Sequence, residues 1–290
     1  MRLSSPVIAL VKRFHAHRPA RIWSLIVTLY GDAIVPRGGS LWIGSLIDIM
    51  DLFDIDAGHV RTAISRLSSD GWLSRVKRGR ASYYRLSRSG ESEFLAATRR
   101  IYFDEHKPFD GQLRLALLTG DLADPAPTRR ALADADFVAL TPTALVSLAD
   151  LPPRLAGRKG VFLLRLNAAD VDRNLVAAAW ALGEVASAYR SFIGQFASLD
   201  VALREAEPTG PDALVARTLL IHAFRRIVLR DPGLPATLLP EDWPGRDARA
   251  LAGRLYRRLV PASEALLDAQ AQNEEGPLPP PNANFARRFS

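Results

Sequence analysis

The chain has 290 residues, 48% apolar and 24% charged, a mix that excludes a disordered chain and leads us to expect two or three domains. It has no cysteine, which excludes disulfides and cysteine-zinc sites. No apolar run approaches the ~18 residues of a membrane span, so a cytoplasmic protein with no membrane partner is expected. The net charge of +7 sits in the first third: residues 1–100 hold 16 basic and 8 acidic side chains, whereas the rest holds 22 and 23.

Near the N-terminus, Arg2, Lys12 and Arg13 flank an apolar stretch, Pro6 to Val11, that is too short for a signal-peptide core, and residues 1–20 are read as an extension. Arg21 to Tyr30 is predicted as a helix with Ile22, Leu25, Ile26 and Leu29 on one face. Gly31-Asp32 and Pro36-Arg37-Gly38-Gly39 break it. Ser40 is expected to cap a second helix carrying Leu41, Trp42, Leu46, Ile49, Met50 and Phe53. Asp56 is a good N-cap for a third, about Ala57 to Ser69, whose apolar stripe is Val60, Ala63, Ile64 and Leu67. Gly71 stops it. Two extended pieces follow, Leu73 to Lys77 and Ser82 to Leu86, joined by Arg78-Gly79-Arg80, where Gly79 can take a positive φ. Ser87 then caps a fourth helix that includes Phe94, Leu95 and Ile101. Three helices, a hairpin and a helix in this order describe a winged helix-turn-helix over 21–103.

His106-Lys107-Pro108 reads as a linker. Beyond it, strands at Leu113 to Leu118, Phe137 to Leu140, Ala144 to Leu148 and Val161 to Leu166, with a short helix at Thr128 to Ala133, indicate a small ferredoxin-like α/β domain over 104–168. Residues 169–270 read as a helical domain. A long helix starts at Asp170 or Asp172 and runs through Trp180, Val185 and Tyr189; others cover Ala213 to Arg230 and Asp247 to Val260. The tail 271–290, with Pro277, Pro279, Pro280 and Pro281, is expected to be disordered. The fold class expected is α+β, mostly α.

The third helix turns His59, Arg61, Thr62, Ser65, Arg66 and Ser69 away from its apolar stripe, with no acid between Ala57 and Ser69. Arginine can donate two hydrogen bonds to guanine, and short hydroxyl side chains reach bases or phosphates. The hairpin adds Arg75, Lys77, Arg78, Arg80 and Arg85, and residues 71–90 contain no acid. Such a ribbon can follow phosphates or enter the minor groove. Helix and hairpin together point to double-stranded DNA as partner, the helix specifying sequence and the ribbon positioning the domain.

The runs Leu29-Tyr30-Gly31-Asp32, Pro36-Arg37-Gly38-Gly39 and Leu41 to Ile47 carry a family resemblance. So do Val60 to Leu67 with Asp70-Gly71-Trp72-Leu73, and, near the C-terminus, Leu220-Ile221-His222, Phe224-Arg225-Arg226, Leu229 to Pro232, Leu234-Pro235, Leu238-Leu239-Pro240, Asp242 to Gly245 and Leu255-Tyr256. In these runs the chain resembles the PaaX-type regulators, repressors of phenylacetate-degradation operons. The resemblance implies a homodimeric, non-enzymatic repressor that binds a palindromic operator and releases it when an aryl-acyl-CoA, typically phenylacetyl-CoA, binds. It also implies a Cas2-like form for the central ferredoxin-like domain. The middle segment departs from the family pattern: a strand that is Gly-Val-Trp-like in the family reads Ala144-Leu145-Val146-Ser147 here.

A CoA thioester needs cations for its phosphates and an apolar pocket for its acyl group. Arg225, Arg226 and Arg230 on one helix, with Trp180, Tyr189, His222 and Trp243, are the candidates; packing and surface ion pairs are the competing reading of the same residues. No resident cofactor or metal is expected. The histidines at 15, 17, 59, 106 and 222 are scattered, and no HExxH, Walker or GxSxG pattern is present. Two alternatives stay open: a DNA-binding module without an effector, and a Cas2-like metal-dependent nuclease using Asp121, which follows the first central strand.

Overall fold

The computed structural model describes residues 3–16, 22–104, 108–122 and 124–290. Arg21, His17 and the expected linker residues His106 and Lys107 lie outside the described residues. The fold is mixed α/β and mostly helical. Two compact units form by contact, and neither is continuous in sequence: 1–105 with 189–229 and 245–290, and 106–188 with 230–244. This grouping cuts across the boundary expected at 168/169.

In the larger unit, α1 (Ser5–Ala16) buries Val7, Leu10 and Val11, and His15 Nε2 lies 2.7 Å from the Phe53 carbonyl oxygen. The expected free extension is thus a packed helix over its described part. The apolar helix α2 (Ile22–Leu29) runs into a π-helical turn, Tyr30–Ile34, and a short 3-10 turn, Val35–Arg37.

Ser40 does not cap a helix. Ser40–Trp42 form strand β1, and α3 (Ile43–Asp51) starts after Trp42 with no side-chain cap. The reason is tertiary: β1 pairs with a strand about forty residues later, with Leu41 opposite Tyr84. The third helix, α4 (Ala57–Ser69), is followed by β2 (Leu73–Arg78), β3 (Ala81–Leu86) and α5 (Arg88–Phe103). The sheet order is β1-β3-β2, antiparallel throughout. Gly79 takes φ +59 in the β2–β3 turn. Asp56 and Ser87 cap α4 and α5 through side-chain oxygens, as their sequence context predicts.

The smaller unit holds β4 (Gln112–Leu118), α6 (Ala126–Ala133), β5 (Val138–Thr141), β6 (Ala144–Ser147) and β7 (Val161–Asn167), with strand order β5-β6-β4-β7. One sheet face buries Ala116, Leu118 and Leu145 in a core with Leu132 and Phe137. The other buries Leu113 and Val146 with Val176, Ala179, Leu234 and Leu238.

The long helix expected from Asp170 or Asp172 is broken. Asp172 caps α7 (Arg173–Ala179), Ala181 takes φ +48, and α8 (Leu182–Glu205) begins afresh. No Gly or Pro stands at the break itself; Gly183 follows it, in the first turn of α8.

Two further helices complete the larger unit, α9 (Gly210–Val228) and α10 (Gly245–Gln270). The tail is ordered, contrary to expectation. It forms a small hairpin, β8 (Gln272–Asn273) with β9 (Gly276–Pro277), and ends with Arg288 and Phe289 each only 7% exposed. Its prolines exclude a helix but leave backbone carbonyls and the remaining amides free to bond: Pro279 O accepts from Arg37 Nε at 2.9 Å, and Asn282 N donates to Pro36 O at 2.9 Å.

Among the described residues, no helix is long and apolar enough to cross a membrane.

Candidate nucleic-acid interface

Helix α4 is set by its cap and its stripe. The Asp56 carboxylate accepts from Gly58 N at 2.8 Å and His59 N at 3.0 Å, and the His59 bonds hold its pKa below the usual value. Val60, Ala63, Ile64 and Leu67 are buried, which fixes the rotation of the helix. His59, Arg61, Thr62, Ser65, Arg66 and Ser69 are all exposed.

Some of these side chains have local partners. His59 Nδ1 lies 2.5 Å from Asp56 Oδ2, and Thr62 Oγ1 donates to Gly58 O at 3.0 Å. Arg66 Nε is 3.5 Å from Asp70 Oδ2, with its guanidinium 5.8 Å from the Trp23 ring centre. Both partners of such an exposed pair stay available, because it is worth little in water. Among the described residues, Arg61, Lys77 and Arg80 form no ion pair.

Strand alternation divides the hairpin's cations between two faces. Arg75 pairs with Tyr84 and Lys77 with Ser82, so they share the face of Leu73, Leu86 and Leu41, the core face. Arg75 also donates to Ser82 Oγ at 2.7 Å. Arg85, opposite Ser74 and Ser40, and Arg78, opposite Ala81, lie on the other face.

On that other face sits the tail hairpin. Arg85 Nη2 donates to Glu274 Oε1 at 2.6 Å, Arg78 Nη1 donates to Glu274 O at 3.0 Å, and Ser40 Oγ donates to the same carboxylate. Burial raises the Glu274 pKa, but Ser40 and the charges of Arg85 and Arg78 outweigh it and leave it below the usual value. The eleven cations and polar groups expected to act together are therefore not equivalent. Arg78 and Arg85 are engaged by the chain's own tail, a contact with no sequence signal except the acids Glu274 and Glu275 amid a proline-rich segment.

A buried ionic frame stands behind the sheet. Asp32 Oδ2 accepts from Arg217 Nε at 2.6 Å, and Oδ1 accepts from Tyr102 OH at 2.7 Å, Tyr256 OH at 2.9 Å and Arg288 Nη1 at 3.1 Å. Burial and the Asp32 charge hold the Tyr102 hydroxyl well above its usual pKa, so it stays a donor. Arg217 Nη1 passes the chain on to Glu264 at 2.5 Å, and Arg37 Nη1 lies 3.0 Å from the other Glu264 oxygen, as an ion pair without hydrogen-bond alignment. Arg37 also pairs with Asp268. The Gly31-Asp32 and Pro36-Arg37 breakers of the sequence are thus the points where α9, α10 and the tail fasten to the N-terminal helices.

The effector candidates are not gathered in one unit. Trp180 and Trp243 pack against the Leu113–Val176 core of the smaller unit, which also holds the exposed Arg230. Tyr189, His222, Arg225 and Arg226 belong to the larger unit. Tyr189 is buried at 4% exposure, and Arg226 is exposed. His222 Nδ1 lies 3.0 Å from Thr28 Oγ1; burial and then the charges of Arg225 and Arg226 push its pKa down to about 3, so it is neutral at physiological pH. Arg225, buried enough for desolvation to lower its pKa, lines a cavity that sequence reasoning did not locate, together with α2 and α5.

Among the described residues, Asp121 makes a long contact with Thr119 Oγ1, 3.4 Å, and no three His, Asp or Glu side chains come together to hold a metal.

Comparison with known proteins matches the profile of the PaaX-like protein family to residues 21–90 and that of the PaaX-like protein C-terminal domain to residues 180–269. The transcriptional repressor PaaX of Escherichia coli (strain K12) is 36% identical over 282 residues, covering 92% of this chain and 89% of that repressor. Among solved structures, the uncharacterized protein Rv0674 from Mycobacterium tuberculosis is 24% identical, with a TM-score of 0.49, over 77% of this chain and 89% of that one.

Proposed function

The chain belongs to the PaaX-like family of non-enzymatic transcriptional repressors, and from that premise we propose that residues 21–103 are a winged helix-turn-helix domain that inserts α4 into the major groove of an operator. The observation that carries this reading is the division of α4: an entirely buried apolar stripe, and opposite it an exposed face of Arg61, Thr62, Ser65 and Arg66 without an acid. Arg66 and Arg61 are the base-reading candidates. Arg75, Lys77 and Arg80 of the wing hold phosphates or the minor groove, while Arg78 and Arg85 join them only if the tail lets go.

The acyl-CoA part of the reading follows the family. The protein is a cytoplasmic homodimer on inverted half-sites about one helical turn apart, or multiples of that. It represses an operon for phenylacetate-type aromatic acids, and an aryl-acyl-CoA releases it. The four-stranded sheet of the smaller unit is the ferredoxin-like central domain. The match to a transcriptional repressor supports this reading over the nuclease alternative.

The test is a gel shift with the upstream DNA of the protein's own operon against a random duplex at fixed salt. Preferential binding, released by micromolar phenylacetyl-CoA, supports the whole reading. Equal affinity for both duplexes overturns operator recognition; preference that no acyl-CoA abolishes overturns the effector.

A further inference from the structure

Helices α2, α5 and α9 enclose a cavity of about 430 Å³ in the larger unit. That is the size of a small-molecule site, and its walls have the expected composition, mostly apolar with few polar groups. Val27, Ala97, Ile101 and Ile221 line it, with the rings of Trp72, Phe94 and Tyr102. Phe94 is seated in a notch that only glycine permits: a Cβ on Gly31 would lie 1.8 Å from its ring.

One cation is set into this wall. Arg225 uses Nη2 on Ser24, donating to its carbonyl at 3.0 Å and its Oγ at 2.7 Å. Its Nε is buried and has no partner. No carboxylate among the described residues neutralises it. Asp32, which also lines the cavity, is already taken by Arg217, Arg288, Tyr102 and Tyr256, and Glu93 stands exposed on the rim. His222 nearby is neutral and brings no negative charge. A largely buried guanidinium without an acid is costly, and a fold tolerates such a cost chiefly where a ligand supplies the missing group.

We propose that this cavity binds a small apolar acid or acyl compound, its ring or chain among Trp72, Phe94 and Ala97 and its carboxylate or carbonyl oxygen held by the Arg225 guanidinium. The site differs from the scattered candidates of the sequence in all but Arg225. Its regulatory consequence rests on the DNA-binding reading above. Trp72 N donates to Leu67 O at 2.8 Å, at the end of α4, and Trp72 O accepts from Ser87 N at 2.9 Å, at the start of α5. An occupant pressing on Trp72 therefore acts on the groove-binding helix and the root of the hairpin together.

The experiment is isothermal titration of the full chain with two probes, phenylacetate and phenylacetyl-CoA, on wild type, Ala97→Trp and Arg225→Met. Promoter-DNA binding without ligand is measured beside it as a check that each variant folds. Ala97→Trp fills the cavity, and Arg225→Met removes the cation while keeping bulk. The expected result is binding of at least one probe by wild type, weakened at least tenfold in each folded variant. Binding of the thioester alone identifies the acyl carbonyl as the acceptor; binding of the free acid identifies the carboxylate. Binding undiminished in either folded variant overturns the location, and wild type that takes neither probe overturns the ligand class. Failure of the DNA-binding reading has a separate signature: ligand-free wild type that does not hold promoter DNA.

Discussion

The Glu274 carboxylate accepts a hydrogen bond from Arg85 at 2.6 Å, although 189 residues separate them. The Glu274 backbone carbonyl takes Arg78 as well, so one tail residue engages two cations of the hairpin. On the proposed DNA-binding reading, the tail competes with a polyanion for these two cations.

Glu274→Gln is expected to release Arg85 from its carboxylate, while Arg78 keeps the backbone carbonyl. Affinity for DNA of any sequence should rise about 3–10-fold at low salt, and the slope of log K against log salt should steepen by about one, since each added phosphate contact contributes about 0.9. Fluorescence anisotropy across a salt series checks this; an unchanged slope would show that the Glu274 carboxylate does not withhold Arg85.

Arg80 stands at the hairpin turn, exposed and without an ion pair among the described residues. Arg80→Ala should weaken operator and random duplexes alike and flatten the salt slope by about one. The same salt series reads it out. Loss confined to the operator would make Arg80 a base reader instead.

Asp32 is 1% exposed and answers both Arg217 and Arg288. Removing its charge leaves buried Arg288 without its acid and Arg217 with Glu264 alone, a change that costs about 3–5 kcal/mol in comparable sites. Asp32→Asn should lower the urea midpoint accordingly, and adding Arg217→Met should cost less than the two single losses combined, because each variant breaks the same pair. Strict additivity would mean that the two residues act independently.

His222 should give stability a pH dependence. Its pKa falls from 6.5 in the unfolded chain to about 3 in the folded one, so the unfolded state binds more protons between those values. Stability from this group is complete above pH 6.5 and declines as pH falls, by about 1.4 kcal/mol per unit while the difference of one proton lasts. Urea unfolding between pH 7 and pH 4.5 should show that slope, and His222→Gln should remove it. An equal slope in the variant would assign it to carboxylates.

What the sequence makes legible is what local chemistry decides. Asp56, the stripe Val60–Leu67 and Gly71 define α4 without help from the rest of the chain, and the exposed face follows by geometry. Ser40-Leu41-Trp42 were misread because three residues hold too little periodicity to tell a strand from a helix start, and their partner strand lies far along the chain. The break falls on Ala181, a good helix former, and Gly183 two residues on is a weak cue because it sits inside α8. The proline-rich tail has the composition of a disordered segment, yet Arg288 and Phe289 are held by Asp32, Tyr102 and Tyr256, contacts that exist only once α5 and α10 are in place. The cavity was hidden for the same reason: Trp72, the α5 pair Phe94 and Ala97, and Arg225 come from three separate stretches.

The central claim is that the exposed face of α4 reads a DNA sequence, and Arg66→Ala tests it most directly. Dissociation constants of wild type and variant are measured by anisotropy on promoter DNA and on a scrambled duplex of equal length and salt. A bidentate arginine–guanine contact carries about 1–3 kcal/mol of discrimination, so promoter affinity should fall about 5–150-fold while scrambled affinity changes less than threefold. An equal loss on both duplexes, or none on either, would contradict it.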